Sequence, residues 1–112
     1  MNNRQKGKRG ERYFARLLKE FFPEVRRNAG EQAQQGGIDL LGTEPFDFEI
    51  KFGKAYKSKM NRDFIDQISG EGKKGNFHVV LVKPDHEEPY ILMPFIHFLV
   101  LLNLLYQIDV KN

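Results

Sequence analysis

Hydrophobic and polar positions alternate most strictly between Phe46 and Phe52, in the run Phe-Asp-Phe-Glu-Ile-Lys-Phe. Successive side chains of a strand point to opposite faces. Phe46, Phe48, Ile50 and Phe52 therefore share one face, and Asp47, Glu49 and Lys51 share the other. The apolar set predicts a strand laid against a core. Just upstream, Ile38-Asp39-Leu40-Leu41 predicts a shorter strand with one acid among apolar residues. Gly42-Thr43-Glu44-Pro45 supplies turn chemistry between the two. Together they predict an antiparallel hairpin that brings Asp39 near Glu49.

The same reading extends along the chain. Phe14, Leu17, Leu18 and Phe21 recur at three- and four-residue spacing and predict an amphipathic helix over 11–22, stopped by Pro23. Ahead of it, residues 1–10 carry Arg4, Lys6, Lys8, Arg9 and two glycines, and predict a flexible basic arm. Val25 to Asn28 predicts a short edge strand. Residues 28–37 are polar, glycine-rich and without period, and predict a mobile loop. Asn61 is placed to cap a helix over 61–69 that buries Phe64, Ile65 and Ile68. Phe77 to Val82 is nearly continuously apolar, as a central strand covered on both faces would be. An acidic turn over 84–89 leads to a last strand, Tyr90-Ile91-Leu92.

The segment from Phe95 to Ile108 is apolar nearly all round. It falls short of the roughly 20 residues that span a bilayer, and His97, Asn103 and Gln107 interrupt it, so no membrane segment is expected. A domain this small has little room to bury such a helix by itself, which predicts a homodimer contact. With no internal repeat and no linker, the chain predicts a single α/β domain.

Composition narrows the class. The 112 residues suffice for one compact core, with 40% hydrophobic and 29% charged residues. The absence of cysteine excludes a disulfide framework and thiolate zinc sites. The polar start has no apolar signal region after it, which predicts a cytoplasmic protein. The net charge of +3 is unevenly spread. Residues 1–62 hold 14 Lys/Arg against 8 Asp/Glu, while residues 63–112 hold 4 against 7. A basic first half facing a polyanion, nucleic acid foremost, and an ordinary solvated surface both fit that split. No phosphate-binding glycine loop is present, and His78, His86 and His97 have no ligand spacing, so all three read as structural or exposed.

Asp39, Glu49 and Lys51 are the sharpest chemical signal. Two carboxylates on neighbouring strands can share a hard cation such as Mg²⁺, which takes oxygen ligands and keeps several waters. A lysine beside them can orient water or stabilise charge developing on a phosphate. Acid, acid and lysine around a metal suit phosphodiester hydrolysis. Glu-x-Lys by itself is very common and reads first as a salt bridge on a polar strand face; Asp39, the hairpin and the apolar alternation are what add weight to the catalytic reading.

Asp39 followed by Glu49-Ile50-Lys51 resembles the core motif of the PD-(D/E)xK nuclease superfamily. Within it, the chain is similar to archaeal-type Holliday junction resolvases over most of its length. Lys6-Gly7 with Glu11-Arg12 resembles the amino-terminal motif, and Val25-Arg26-Arg27 with Gly37-Ile38-Asp39 resembles the second block. Two departures stand out. Gly37 lies where relatives often carry an aspartate, and the stretch from Ala29 to Gly37 lacks the serine that some resolvases use.

The resemblance implies a restriction-endonuclease-like core, a mixed central β-sheet flanked by helices. It implies that Asp39, Glu49 and the Ile50 carbonyl bind Mg²⁺, with Mn²⁺ as a substitute, and that Glu11 completes the site. Lys51 would organise water and stabilise the transition state, with Arg12 and Gln67 in support. Lys6, Lys8, Arg9, Arg12, Arg26, Arg27, Lys54, Lys57, Lys59 and Arg62 would contact the DNA backbone. The implied function is resolution of four-way or other branched DNA by a homodimer. A general or restriction-type nuclease and a non-catalytic nucleic-acid-binding module are the alternatives.

Overall fold

In the computed structural model the described residues are 3–29, 38–53, 64, 66 and 75–111, with side chains of the first helix described from Gly7 and those of the last to Gln107. The predicted loop over 28–37 apart from Asn28 and Ala29, the predicted helix over 61–69 apart from Phe64 and Asp66, and Lys54, Lys57, Lys59, Arg62 and Gln67 lie outside them, as does the Lys6 side chain.

The described elements are α1 (Asn3–Leu18), β1 (Arg26–Arg27), β2 (Leu40–Leu41), β3 (Phe46–Phe52), β4 (Phe77–Lys83), β5 (Tyr90–Leu92) and α2 (Phe95–Lys111). β3, β4 and β5 form a mixed sheet with β4 in the middle, parallel to β3 and antiparallel to β5. β1 and β2 pair antiparallel in a separate two-stranded sheet. The protein is thus a small α/β fold, as the patterning predicts.

α1 starts at Asn3, so most of the stretch expected to be a flexible arm is helical. Gln5, Lys6, Lys8 and Arg9 are good helix formers, and they outweigh the cost of Gly7 and Gly10. Gly10 has a second role. A Cβ built there would lie 2.5 Å from the Phe52 Cβ, so the bare α-carbon is what lets α1 approach β3. The helix also ends earlier than the apolar stripe suggests. The Phe21 and Phe22 amides both turn back to the Leu18 carbonyl, at 3.0 and 2.9 Å. Phe21 consequently leaves the stripe and is 73% exposed, as Leu17 is at 51%. Phe22 swings inward instead and packs edge-on against Phe46 and Phe48, at 5.9 and 6.2 Å between ring centres.

The alternation of β3 separates two apolar clusters. Phe48 and Ile50 join Phe14, Val25, Leu40, Val79 and Leu81 under α1. On the other face Val80 and Val82 pack with Phe64, Tyr90 and Leu92. β4 is therefore covered on both sides, which explains its unbroken apolar run. The polar face of β3 lies beside the second cluster and is itself buried: Asp47 is 1% exposed and Glu49 5%.

β2 and β3 do not form the predicted ladder; β2 is laddered to β1 and β3 to β4. They are joined at the Phe46 amide, which donates to the Thr43 carbonyl at 2.8 Å, and through Asp39. Gly42 sits in this connection at φ 78°, and a Cβ there would run into the Glu24 carbonyl.

α2 is not a core helix. Phe95, Ile96, Leu105 and Tyr106 are 60–70% exposed, and Phe98, Leu99, Val100, Leu102 and Leu104 are 42–50% exposed. No helix among the described residues is long and apolar enough to cross a membrane. Near its start, His97 Nδ1 accepts the His78 amide of β4 at 3.0 Å. The His97 ring stands edge-on to Phe77 and His78, at 5.8 and 5.1 Å.

Gly10 and His97 each generate a prediction. Gly10→Ala gains about 1 kcal/mol of helix propensity but forces α1 off Phe52, an overpacking cost of about 1–3 kcal/mol. Urea unfolding should show a net loss of stability. His97 should titrate below 6.5, because burial and then the neighbouring His78 disfavour its charged form. Its neutral Nδ1 is also the acceptor for the His78 amide. With the folded value below the unfolded one, this contribution is complete above 6.5 and is lost as pH falls from there through the folded value. NMR titration of His97 beside urea melts at several pH values checks both; a His97 midpoint above 6.5 contradicts the assignment.

Candidate active site

Asp39 enters β2 and is held from three directions. Its amide donates to the Phe48 carbonyl at 3.1 Å, and its carbonyl accepts the Asn28 amide at 3.0 Å. Its carboxylate Oδ2 accepts the Ile50 amide at 2.8 Å. In a regular ladder the Ile50 N–H would donate to a backbone carbonyl; it donates to a side chain instead. The Asp39 side chain thus takes a place that a backbone carbonyl fills in a ladder. This bond also puts the Asp39 carboxylate beside the peptide joining Glu49 to Ile50, the neighbourhood that the sequence predicts.

Glu49 and Lys51 share a face of β3, and their side chains meet with Lys51 Nζ 3.5 Å from Glu49 Oε1. Both are largely buried, at 7% and 14% side-chain exposure. The Lys51 ammonium lies over the Phe64 ring, 5.1 Å from its centre, where the ring's negative face stabilises a cation. Asp47, one pleat earlier, accepts a hydrogen bond from Asn76 Nδ2 at 3.0 Å. Being 1% exposed, it reads as a structural acid.

Glu11 comes to the β1 side of the site on the buried flank of α1. Its Oε1 is 3.0 Å from Arg27 Nε in a partly buried ion pair. Arg27, expected to contact DNA, is thus engaged with Glu11. Among the described residues no group of three or more His, Cys, Asp or Glu is gathered as metal ligands, so Glu11 does not stand in a trio with Asp39 and Glu49. Arg26 lies exposed beside the Glu24 carbonyl, with Nη1 at 3.3 Å. Lys8 is half-buried, and Arg9 and Arg12 are exposed on α1.

Asn28 has a role that patterning does not reveal. It is 1% exposed, and its Nδ2 donates to the Ile38 carbonyl at 2.7 Å. With its amide on the Asp39 carbonyl, it braces the chain on both sides of the Ile38–Asp39 peptide. The signal in the sequence is a lone asparagine closing an edge strand, a residue type that commonly hydrogen-bonds nearby backbone.

A cleft of about 440 Å³ runs along Arg26, Leu40, Thr43 and Asp47 without including Asp39, Glu49 or Lys51. The candidate site is thus a face of packed acids and a lysine at the seam of the two sheets, distinct from that cleft. Two buried carboxylates from different segments, with a lysine against one of them, are hard oxygen donors of the kind that fit Mg²⁺. The Ile50 amide faces the Asp39 side, and a strand residue's carbonyl projects to the same edge as its amide. That carbonyl is thus a third oxygen available on the same side.

Asn28→Ala should cost about 1–3 kcal/mol, the penalty for losing a buried hydrogen bond. Asn28→Asp should cost more, because it sets a carboxylate against the Ile38 carbonyl and near Asp39. Urea unfolding of the two variants checks the order; equal stability of both with the parent chain contradicts the bracing role.

No protein-family model matches the chain, and neither the curated proteins nor the solved structures include a significant match.

Proposed function

We propose that this protein is a metal-dependent endodeoxyribonuclease of the PD-(D/E)xK type, acting on four-way or other branched DNA inside the cell. The observation that carries the reading is the clasp between the Asp39 carboxylate and the Ile50 amide, which sets an acid from one segment beside Glu49 and Lys51 of the next. The ordered motif Asp39, Glu49-Ile50-Lys51 supports it, as does the basic character of residues 1–62.

In this reading Asp39, Glu49 and the Ile50 carbonyl hold Mg²⁺, or Mn²⁺ in its place. The ion, when bound, polarises a phosphoryl oxygen and makes its water more acidic. Two protein carboxylates suffice, because Mg²⁺ characteristically retains waters. Glu11, tied to Arg27, acts on the site from its border. Lys51 orients the attacking water and stabilises charge on the phosphate oxygens as the bond breaks. Burial beside Phe64 strengthens that interaction by lowering the local dielectric. Lys8, Arg9, Arg12 and Arg26 contact the DNA backbone, an engagement that positions the strand without reading its sequence.

A second copy covers the exposed apolar face of α2. Two active sites related by a two-fold axis would then address the two opposed strands of a symmetric junction. The restriction-endonuclease-like description belongs to the same proposal. A mixed sheet with α1 on one face and the acids on β3 is consistent with it.

The test is incubation with a four-way junction, a linear duplex and a single strand, each with Mg²⁺ or with chelator. Paired nicks on the junction alone are expected. Equal cutting of linear duplex would replace junction resolution with general nuclease activity, and metal-independent binding without cutting would leave a binding module. Asp39→Asn should abolish cleavage while keeping junction binding, because it removes a ligand and a negative charge together. Mg²⁺-dependent cutting retained by that variant sinks the role of Asp39. Light scattering should give the mass of a dimer at micromolar concentration; a monomer contradicts the pairing of α2.

A further inference from the structure

We propose that the cleft on the outer side of α1 is a subsite for the phosphate and base of an unpaired nucleotide. It has a volume of about 500 Å³ and is lined by Arg9, Arg12, Tyr13, Arg16, Phe52 and Lys83. Among the described residues its lining combines cations with aromatic rings and contains no acid. The proposal deepens the nuclease reading, and rests on it for the identity of the ligand as DNA.

Spacings of three and four residues put Arg9, Arg12 and Arg16 on one stripe of the helix. All three are exposed, and among the described residues none is in an ion pair. Arg27, by contrast, is neutralised by Glu11. Three uncompensated guanidiniums around one concavity favour a dianionic or bridging phosphate, whose oxygens match the guanidinium fork. Lys83 is fixed at the wall by donation from Nζ to the Pro84 carbonyl at 2.9 Å. An ammonium has three protons, so this bond leaves donors for a ligand.

Phe52 and Tyr13 lie 5.7 Å apart between ring centres, and the Arg9 guanidinium lies 5.9 Å from the centre of the Phe52 ring. Aromatic rings and guanidinium planes are the surfaces on which nucleic-acid bases stack. A duplex hides its base faces, whereas an unpaired nucleotide offers them together with its phosphate. A phosphate site of this composition therefore selects unpaired strand.

Phe52 follows Lys51 in β3, and Lys83 is the register partner of Phe52 in β4. Lys51 and Phe52 point to opposite faces of the strand. A DNA chain with one phosphate at Lys51 would have to pass around this end of the sheet to reach the cleft. Such a path suits the flexible unpaired segment of a branched DNA other than a fully paired four-way junction, and not a stiff duplex arm.

Fluorescence anisotropy in chelator, across a salt series, tests the proposal with the full chain. The probes are a labelled oligothymidylate of about ten nucleotides and a blunt hairpin duplex. Arg9→Gln/Arg16→Gln should weaken oligothymidylate binding by about tenfold and lower the slope of log affinity against log salt by about 1.4, roughly 0.7 for each phosphate no longer neutralised. Arg9→Lys/Arg16→Lys should retain the slope, because it keeps the charge, and lose part of the affinity with the fork. Hairpin binding should change much less. Unchanged oligothymidylate binding, or an equal loss on the hairpin, overturns the subsite. Thermal melts matching the parent chain confirm that the variants are folded. Chelator removes the metal from the question, so the outcome does not depend on cleavage. Junction cutting that disappears in Asp39→Asn while oligothymidylate binding ignores both arginines would sink the subsite and leave the nuclease reading standing.

Discussion

The hydrogen bond from the Ile50 amide to the Asp39 carboxylate is the constraint on which the candidate site depends. It couples two segments that no ladder joins, since β2 pairs with β1 and β3 with β4. A carboxylate is tied to the backbone of the strand that carries the next carboxylate. Their relation is therefore set by main-chain geometry, with little left to side-chain freedom. Asn28 extends this outward, because it secures the Ile38 and Asp39 carbonyls to the end of β1. Arg27, its neighbour, ties β1 to α1 through Glu11. Helix, small sheet and large sheet thus meet through polar contacts within a few residues of one another.

Those contacts survive because the apolar clusters flank them. Burying an unpaired charge is costly, and the acids of β3 are nearly inaccessible to water. Lys51 offsets part of the cost at Glu49, and Asn76 does so at Asp47. On the opposite face, each fully buried leucine, valine or phenylalanine contributes about 1.5–3 kcal/mol. That face holds Phe14, Phe48, Ile50 and Leu81 together. β3 therefore serves as a partition: one side supplies stability, and the other holds charges that would destabilise a less firmly anchored strand.

Much of this is legible in the chain. The seven-residue alternation from Phe46 to Phe52 leaves one way to place a strand, and the apolar run after Phe77 marks a strand covered on both sides. What periodicity does not supply is the partner of each strand. Ile38 to Leu41 and Phe46 to Phe52 flank a turn, and local pattern favours pairing them; the Asp39 side chain takes the Ile50 amide instead. Hydrophobic spacing misplaces the ends of α1 because it senses only the packed turns. Residues 3–10 are helical without an apolar stripe, and Phe21 belongs to the stripe by spacing but not by conformation. The acids and the lysine can be named from the motif, while the Asn28 brace, signalled only by residue type, and the pairing of Glu11 with Arg27 depend on tertiary contacts.

The parallel pairing of β3 with β4 makes the two connections beside the site unequal in their tolerance of length change. A parallel pair needs a long return path, which in this chain runs between Phe52 and Phe77. The closure entropy of such a connection grows slowly with its length, by about 0.6 kcal/mol per doubling. Insertions there that spare Phe64, which packs against Val80 and Val82, would leave the register of both strands intact. The connection from Leu41 to Phe46 has no such slack, because Gly42 is wedged against Glu24 and the Thr43 carbonyl holds the Phe46 amide. One extra residue that slipped β3 by a single position would turn Phe48 and Ile50 out of the core and drive Glu49 and Lys51 into it. Homologous chains should therefore vary less in length between Leu41 and Phe46 than between Phe52 and Phe77.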